Sequence, residues 1–259
     1  MQRCFIFGLG YSAGRIASAL EARGWEVVST GRAGTLSFDD RANVRLAMAD
    51  ADTVLSSVPP SADGDPVLAR YGADLTGHRL VYLSSTGVYG DTGGAWVDET
   101  APTGNGRRTA RAEADAAWLE RGARVLRLPG IYGPGRSALD RLREGRAHRI
   151  DLEPQVFSRV HVDDIVSGAL AAFEAPPGAY NLADDEPASQ NAVIEEACRL
   201  LGLEPPPLQS LEEAGLSPMA RAFYAENRRV ANGKARRVLG WRPCFPSYRE
   251  GLRALLAAG

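Results

Sequence analysis

Short apolar runs separated by amphipathic stretches set the rhythm of the first two-thirds of this chain. Arg3–Phe7 (RCFIF) reads as a strand, and residues 12–23 follow as a helix whose Ile16, Ala17, Ala19 and Leu20 form an apolar stripe. EVVST (26–30), TVLSS (53–57), LVYLS (80–84) and RVLRL (124–128) are further strand candidates. Continuous apolar strands alternating with helices predict a parallel sheet covered on both faces. The stretch 31–52 leaves room for one brief strand and one helix.

After Leu128 the rhythm changes and the loops grow richer in Gly and Pro. Residues 160–162 and 180–182 read as short strands, and 163–173 as an amphipathic helix with Asp163 as its N-cap. A helix over 189–201 is started by Ser189 and stopped by Gly202, with prolines at 205–207 beyond it. Two short helices, over 234–239 and 248–256, close the chain. The pattern predicts an α/β fold, a doubly wound parallel sheet with a small C-terminal α/β lobe for substrate. Residues 1–130 and 156–184 form the core, and 131–155 with 185–259 form the lobe. That lobe should lie over the carboxyl edge of the sheet, where open α/β sheets bind ligands.

Composition narrows the function classes. A chain of 259 residues, 44% of them hydrophobic, can bury a substantial core. A net charge of −2 offers no general attraction to nucleic acid or an anionic membrane, which leaves a small molecule as the expected partner. No apolar run approaches bilayer length and Met1 leads straight into a strand, so a cytoplasmic location is expected. Cys4, Cys198 and Cys244 are far apart, each beside apolar neighbours, and read as buried reduced thiols. Histidines and cysteines are too scattered to suggest a metal site.

Directly after the first strand comes Gly8-Leu9-Gly10-Tyr11-Ser12-Ala13-Gly14, a match to Gly-x-Gly-x-x-Gly/Ala. Gly8 permits the tight turn, Gly10 lets backbone approach a pyrophosphate, and Ala13 is small enough for helix-on-strand packing. A helix starting near Tyr11 and Ser12 aims free N–H groups and a positive dipole end at the phosphates. Strand, triplet and helix in this order predict a Rossmann-type dinucleotide site. At the end of the second strand, where an NAD protein usually carries an acid, the chain has Thr30-Gly31-Arg32. A guanidinium can pair with a 2′-phosphate that a carboxylate would repel, so NADP is expected in preference to NAD. Ser57, Val58 and Pro59 follow a core strand and should border the cofactor.

Six segments carry a family resemblance: SSTGVYG (84–90), DETAP (98–102), RLPGIYGPG (127–135), VHVDD (160–164), YNLA (180–183) and ARRVLGWRP (235–243). In this order, and across almost the whole chain, they resemble the extended short-chain dehydrogenase/reductases, also called the NAD-dependent epimerase/dehydratase family. The resemblance implies a nicotinamide cofactor, a hydroxylated or carbonyl substrate such as a sugar or nucleotide sugar, and a homodimer as one option. It places Ser84, Pro129 and Ile131 against the cofactor and Ser85 at the reacting oxygen.

The family's chemistry also needs a tyrosine with a lysine four residues later, and that pair is missing. A free phenol titrates near ~10 and is only about 0.1% ionised at neutral pH, so the lysine is what makes the tyrosine useful. No tyrosine lies between Tyr89 and Tyr132, and the lone lysine is Lys234. Arg107, Arg108 or Arg111 could replace the lysine as a ribose-binding cation. Tyr89, Tyr132 and His161 are the candidate substitute proton carriers, although packing roles would explain all three. Two readings stay open: an NADP-dependent oxidoreductase or epimerase-like enzyme with unorthodox acid/base groups, and a catalytically inactive NADP-binding sensor or scaffold.

Overall fold

Six of the apolar runs lie side by side in a computed structural model that describes residues 2–104, 106, 109–152, 155–216, 221 and 224–259. They are β1 (Arg3–Phe7), β2 (Glu26–Ser29), β3 (Thr53–Ser56), β4 (Arg79–Ser85), β6 (Arg124–Leu128) and β10 (Gly178–Asn181). All their pairings are parallel, in the order β10-β6-β4-β3-β1-β2. Alternate residues of β1 show why the strands read as unbroken apolar runs. Cys4 and Ile6 join one core with α1 (Tyr11–Glu21) and α6 (Val162–Phe173), while Phe5 and Phe7 join another. That second core holds α2 (Arg41–Ala49), α3 (Pro66–Tyr71) and α4 (Thr109–Glu120). Both faces of the sheet are covered, so its strands are mostly apolar and the polar residues they do carry, such as Ser84 and Arg127, are buried.

Three short parallel pairs stand off the main sheet: β5 (Trp96–Val97) with β12 (Arg229–Val230), β7 (Gly130–Tyr132) with β9 (Arg159–His161), and β8 (Arg149–Ile150) with β11 (Leu208–Gln209). Helices α5 (Ala138–Arg143), α7 (Gln190–Leu201) and α9 (Tyr248–Ala258) share a separate apolar cluster of Leu139, Val193, Ala197, Tyr248 and Leu252. Helix α8 (Gly233–Val238) instead packs Ala235 into the core beside α1 and α6. The chain leaves β1 for β2 on one side and returns to β3 on the other. The crevice of a doubly wound sheet opens at such a reversal. No described helix is long and apolar enough to cross a membrane.

Several expectations need correction. Helix α6 is capped by His161, whose ring Nδ1 accepts from Asp163 N at 3.2 Å, so Asp163 is the second helical residue and not the cap. The brief strand expected between 31 and 52 is a single bridge, Thr30 to Leu36, because the segment turns back through Gly31 and Gly34 before α2. Cys4 and Cys198 are buried, but Cys244 is exposed: the carboxylate of Asp164 takes its backbone N–H at 2.6 Å and leaves the thiol outside. Ser189 and Gly202 do cap α7, the latter in the left-handed conformation.

Where β10 ends, Asp184 is tied to β9 by its backbone, N to Arg159 O at 2.8 Å. Both of its carboxylate oxygens are buried and make no hydrogen bond of ordinary geometry among the described residues. Burial raises this carboxyl from 3.8 to about 8, against the opposing pull of the Arg159 charge. A carboxyl that holds its proton more tightly when folded is a net cost once the unfolded chain ionises. Its contribution to stability therefore falls as pH climbs from the unfolded value to about 8. Urea midpoints of the wild type should decline relative to those of Asp184→Asn between about pH 5 and about pH 8. Parallel curves for the two proteins would show that Asp184 is not the titrating group.

Candidate functional site

The turn after β1 is held open from three directions. Gly8 has φ +82°, and a Cβ there would sit 2.8 Å from Val58 Cγ2. Its N–H reaches Thr30 Oγ1 at 3.3 Å, its carbonyl accepts from Ser57 Oγ, and Leu9 N donates to Thr30 O at 2.8 Å. Gly31 closes against this turn, with room for no side chain: a Cβ would lie 2.8 Å from Leu9 N. The ends of β1, β2 and β3 thus fix one loop. At Gly10, by contrast, a Cβ would meet nothing within 4 Å. Gly10 is the N-cap of α1, supplies no side chain to it, and the first turn carries no acid. The helix end is left with unsatisfied N–H groups and uncompensated positive charge beside empty space.

That space is part of a cavity of about 580 Å³ along the carboxyl edge of the sheet. Gly10, Tyr11, Ser12 and Ala13 line one end, with Ser57 and Pro59 from the end of β3. Ser84 and Ser85 reach it from β4, and Pro129 and Ile131 from the far side of β6. Gly8 and Val58 lie beneath the loop as its support and do not line the cavity. Arg32 is not in the lining either; it is exposed just past β2 and makes no ion pair or hydrogen bond among the described residues. Tyr11 packs between Arg15 and Arg136, 5.6 and 5.7 Å from its ring, and donates to Pro134 O at 3.1 Å.

The two serines of β4 do different jobs. Ser84 Oγ points into the protein and donates to Asp115 Oδ2 at 2.6 Å. Ser85 Oγ accepts from Gly87 N at 3.1 Å, and its own proton has no acceptor among the described residues. Because Ser85 lines the cavity, that proton is available to a ligand there. Behind the serines sits a buried network. Arg127 forks onto Asp115 at 2.6 and 3.1 Å and gives a third hydrogen bond to Tyr89 Oη at 2.9 Å. Tyr89 in turn donates to Asn181 Oδ1 at 2.8 Å. Asp115 lies on α4, one helical turn beyond Arg111, and Arg111 lines the cavity.

The structure does not bring Tyr89, Tyr132 or His161 to this cavity. The Tyr89 hydroxyl is spent in the Arg127 network. Tyr132 is buried against Gly251 and points toward Ser247 O at 3.5 Å, its phenol driven up by burial. His161 packs between Tyr132 and Phe245, and burial pushes its imidazole down, keeping it neutral. Of the three arginines weighed against the missing lysine, Arg107 and Arg108 lie outside the described residues. No described group of histidine, cysteine and acidic residues could hold a metal ion.

Sequence reasoning missed the opposite wall. Phe157, Ser158, Glu226 and Arg228 line it, from segments far along the chain from the glycine loop, and Arg136 lines the cavity beside Tyr11. Arg228 Nη1 donates to Gly90 O at 2.6 Å and to Glu226 at 2.8 Å, and both side chains of this pair are 16% exposed. The adjacent Asn227 accepts from Thr92 N and Gly94 N and straps this segment to the loop after Tyr89. The only signal in the sequence was the basic doublet at 228–229, which by itself resembles any solvated surface.

No protein-family model matches the chain. A functionally unknown conserved protein from Silicibacter pomeroyi DSS is 39% identical, with a TM-score of 0.89 over 100% of this chain and 99% of that one. Protein YeeZ of Escherichia coli K12 is 29% identical, covering 83% of this chain and 89% of its own. A 3-diazoavenalumate denitrifying reductase from Streptomyces is 33% identical over 67% of this chain and 64% of its own. The ADP-L-glycero-D-manno-heptose-6-epimerase of Helicobacter pylori shares the fold, with a TM-score of 0.77 at 15% identity over 99% and 96% of the two chains.

Removing Arg127 leaves Asp115 and Tyr89 buried without their partner. Breaking a buried pair in this way costs about 3–5 kcal/mol. Arg127→Met should therefore show that order of loss in urea unfolding, whereas the surface variant Arg143→Met should stay within about 0.5 kcal/mol of wild type. Equal stabilities would show that the network contributes no more than a surface pair does.

Proposed function

We propose that this chain, which resembles the extended short-chain dehydrogenase/reductases in fold and motifs but lacks their Tyr-x-x-x-Lys pair, is a nicotinamide-dinucleotide-dependent oxidoreductase acting on a small carbonyl or hydroxylated substrate. The observation that carries this reading is the single cavity shared by the uncapped end of α1, Ser85 and the turn at Pro129–Ile131. The fit to a dinucleotide rests on Gly10, where backbone faces open space and nothing but a ligand would meet a side chain. The N–H groups of the first turn of α1 would take the diphosphate. Arg32, exposed beyond β2 and without an ion pair among the described residues, would select the 2′-phosphate of NADP. Arg111 stands on the helix that carries the family's lysine and would hold the ribose.

A nicotinamide held there would supply or accept the hydride. Ser85 donates a hydrogen bond to the substrate oxygen, and the guanidiniums stabilise the negative charge that grows there. The one phenol in the described wall, Tyr11, lies at the glycine-loop end and donates to Pro134 O, so the substrate proton would be exchanged with Ser85, Glu226 or water. The reductase name of the Streptomyces relative supports the reducing direction. The missing pair favours a second reading, a protein that binds NADP and reports on it without turnover.

Gly10→Val should leave the thermal midpoint almost unchanged, since its extended backbone and open surroundings accept a side chain, yet abolish NADPH binding in a fluorescence titration. Undiminished binding would sink the dinucleotide assignment. Arg32→Ala should weaken NADPH by about tenfold, the worth of roughly 1.4 kcal/mol, and leave NADH as it was. Equal effects on the two coenzymes would remove Arg32 from cofactor choice. Turnover of aldehydes with NADPH, lost in Ser85→Ala, separates the enzyme from the sensor.

A further inference from the structure

The lobe side of the cavity is built to hold an anion. The charged side chains among the whole cavity's described lining residues are Arg111, Arg136, Arg228 and Glu226, three cations against one anion. Arg228 is the best oriented of them. Both of its protein partners, Gly90 O and Glu226, take hydrogens from the same nitrogen, Nη1. The Nε and Nη2 hydrogens on the opposite edge have no partner among the described residues, and Arg228 lines the cavity. A guanidinium gripped on one nitrogen, with two parallel N–H bonds left over, is a preformed fork for a planar oxyanion.

We propose that the substrate is an acid: a small carbonyl compound bearing a carboxylate, which docks on the Nε–Nη2 edge of Arg228 while its carbonyl lies toward Ser85. This deepens the oxidoreductase reading and rests on it for the identity of the carbonyl. The carboxylate itself is assigned from the arginine geometry. Glu226 is the reason for a carboxylate over a phosphate, because a dianion beside that acid meets twice the repulsion of a monoanion. Phe157, in the same wall, offers an apolar surface to the body of the molecule. Arg136 lies on the Tyr11 side of the cavity and makes no side-chain hydrogen bond or ion pair among the described residues. It adds to the positive field that draws an anion in.

Three matched probes test the assignment: 4-carboxybenzaldehyde, its methyl ester, and 4-formylphenyl phosphate. Each is titrated calorimetrically into the protein with and without NADP, and each is then offered with NADPH. In that assay hydride passes to the aldehyde carbon and the oxygen takes a proton, giving the alcohol and oxidised NADP. The acid should bind at least about tenfold more tightly than the ester, the usual return from a charge-assisted pair, and more tightly than the phosphate. Arg228→Gln should erase the acid's advantage while leaving the ester and NADPH affinities within about twofold. Arg228→Lys should recover only part of it, because an ammonium lacks the fork.

Equal affinities for acid and ester would overturn the proposal. So would a preference for the phosphate, or an Arg228→Gln variant that weakens acid and ester alike. Failure to bind NADPH would instead overturn the oxidoreductase reading, and the contrast between acid and ester can still be measured on the protein alone.

Discussion

One buried guanidinium, that of Arg127, fixes where the site can be. It is charged, almost wholly enclosed, and satisfied by two carboxylate oxygens and a phenol. A cation in that place without those partners would cost several kcal/mol, so α4, β4, β10 and the turn carrying Tyr89 must meet around it. Ser85 follows Ser84, which is bonded to Asp115, and Arg111 precedes Asp115 by one turn. Both residues that face the cavity therefore have their positions set by neighbours that face away from it. The glycine loop is held in a comparable way, by Thr30 and Ser57 from the adjacent strand ends.

The cavity these constraints leave is unusual in its chemistry. A phenol with a nearby lysine would deliver a proton along with the hydride. In its place this wall carries arginines, which do not titrate near neutral pH and so act by field and by hydrogen-bond direction. Catalysis in such a site depends on stabilising charge as it develops and on holding the substrate, with proton transfer left to groups of ordinary strength. A substrate that brings its own negative charge is well matched to this arrangement.

Tyrosines and a histidine drawn from loop motifs are poor guides to chemistry unless their surroundings are known. Tyr89 belongs to SSTGVYG and Tyr132 to RLPGIYGPG, and both segments do border the site. Yet each phenol turns inward, one to complete the Arg127 network and the other to pack on Gly251. The motifs located the loops because backbone position follows from local sequence. They did not settle the side-chain directions, which depend on partners 38 or more residues away along the chain.

From the sequence alone came the strands, their burial on two faces, the glycine turn and the order of helices, because each follows from periodicity or from backbone freedom within a few residues. The motifs likewise marked Ser85 and the absence of the tyrosine–lysine pair. Folding alone decided that Gly8 and Val58 support the loop from below and that Arg111 reaches the cavity. It also set Glu226 and Arg228, over two hundred residues downstream of the loop, as the facing wall. Those are statements about distance between remote segments, and no local pattern of hydrophobic and polar residues encodes such a distance until the sheet and the segments around it have packed.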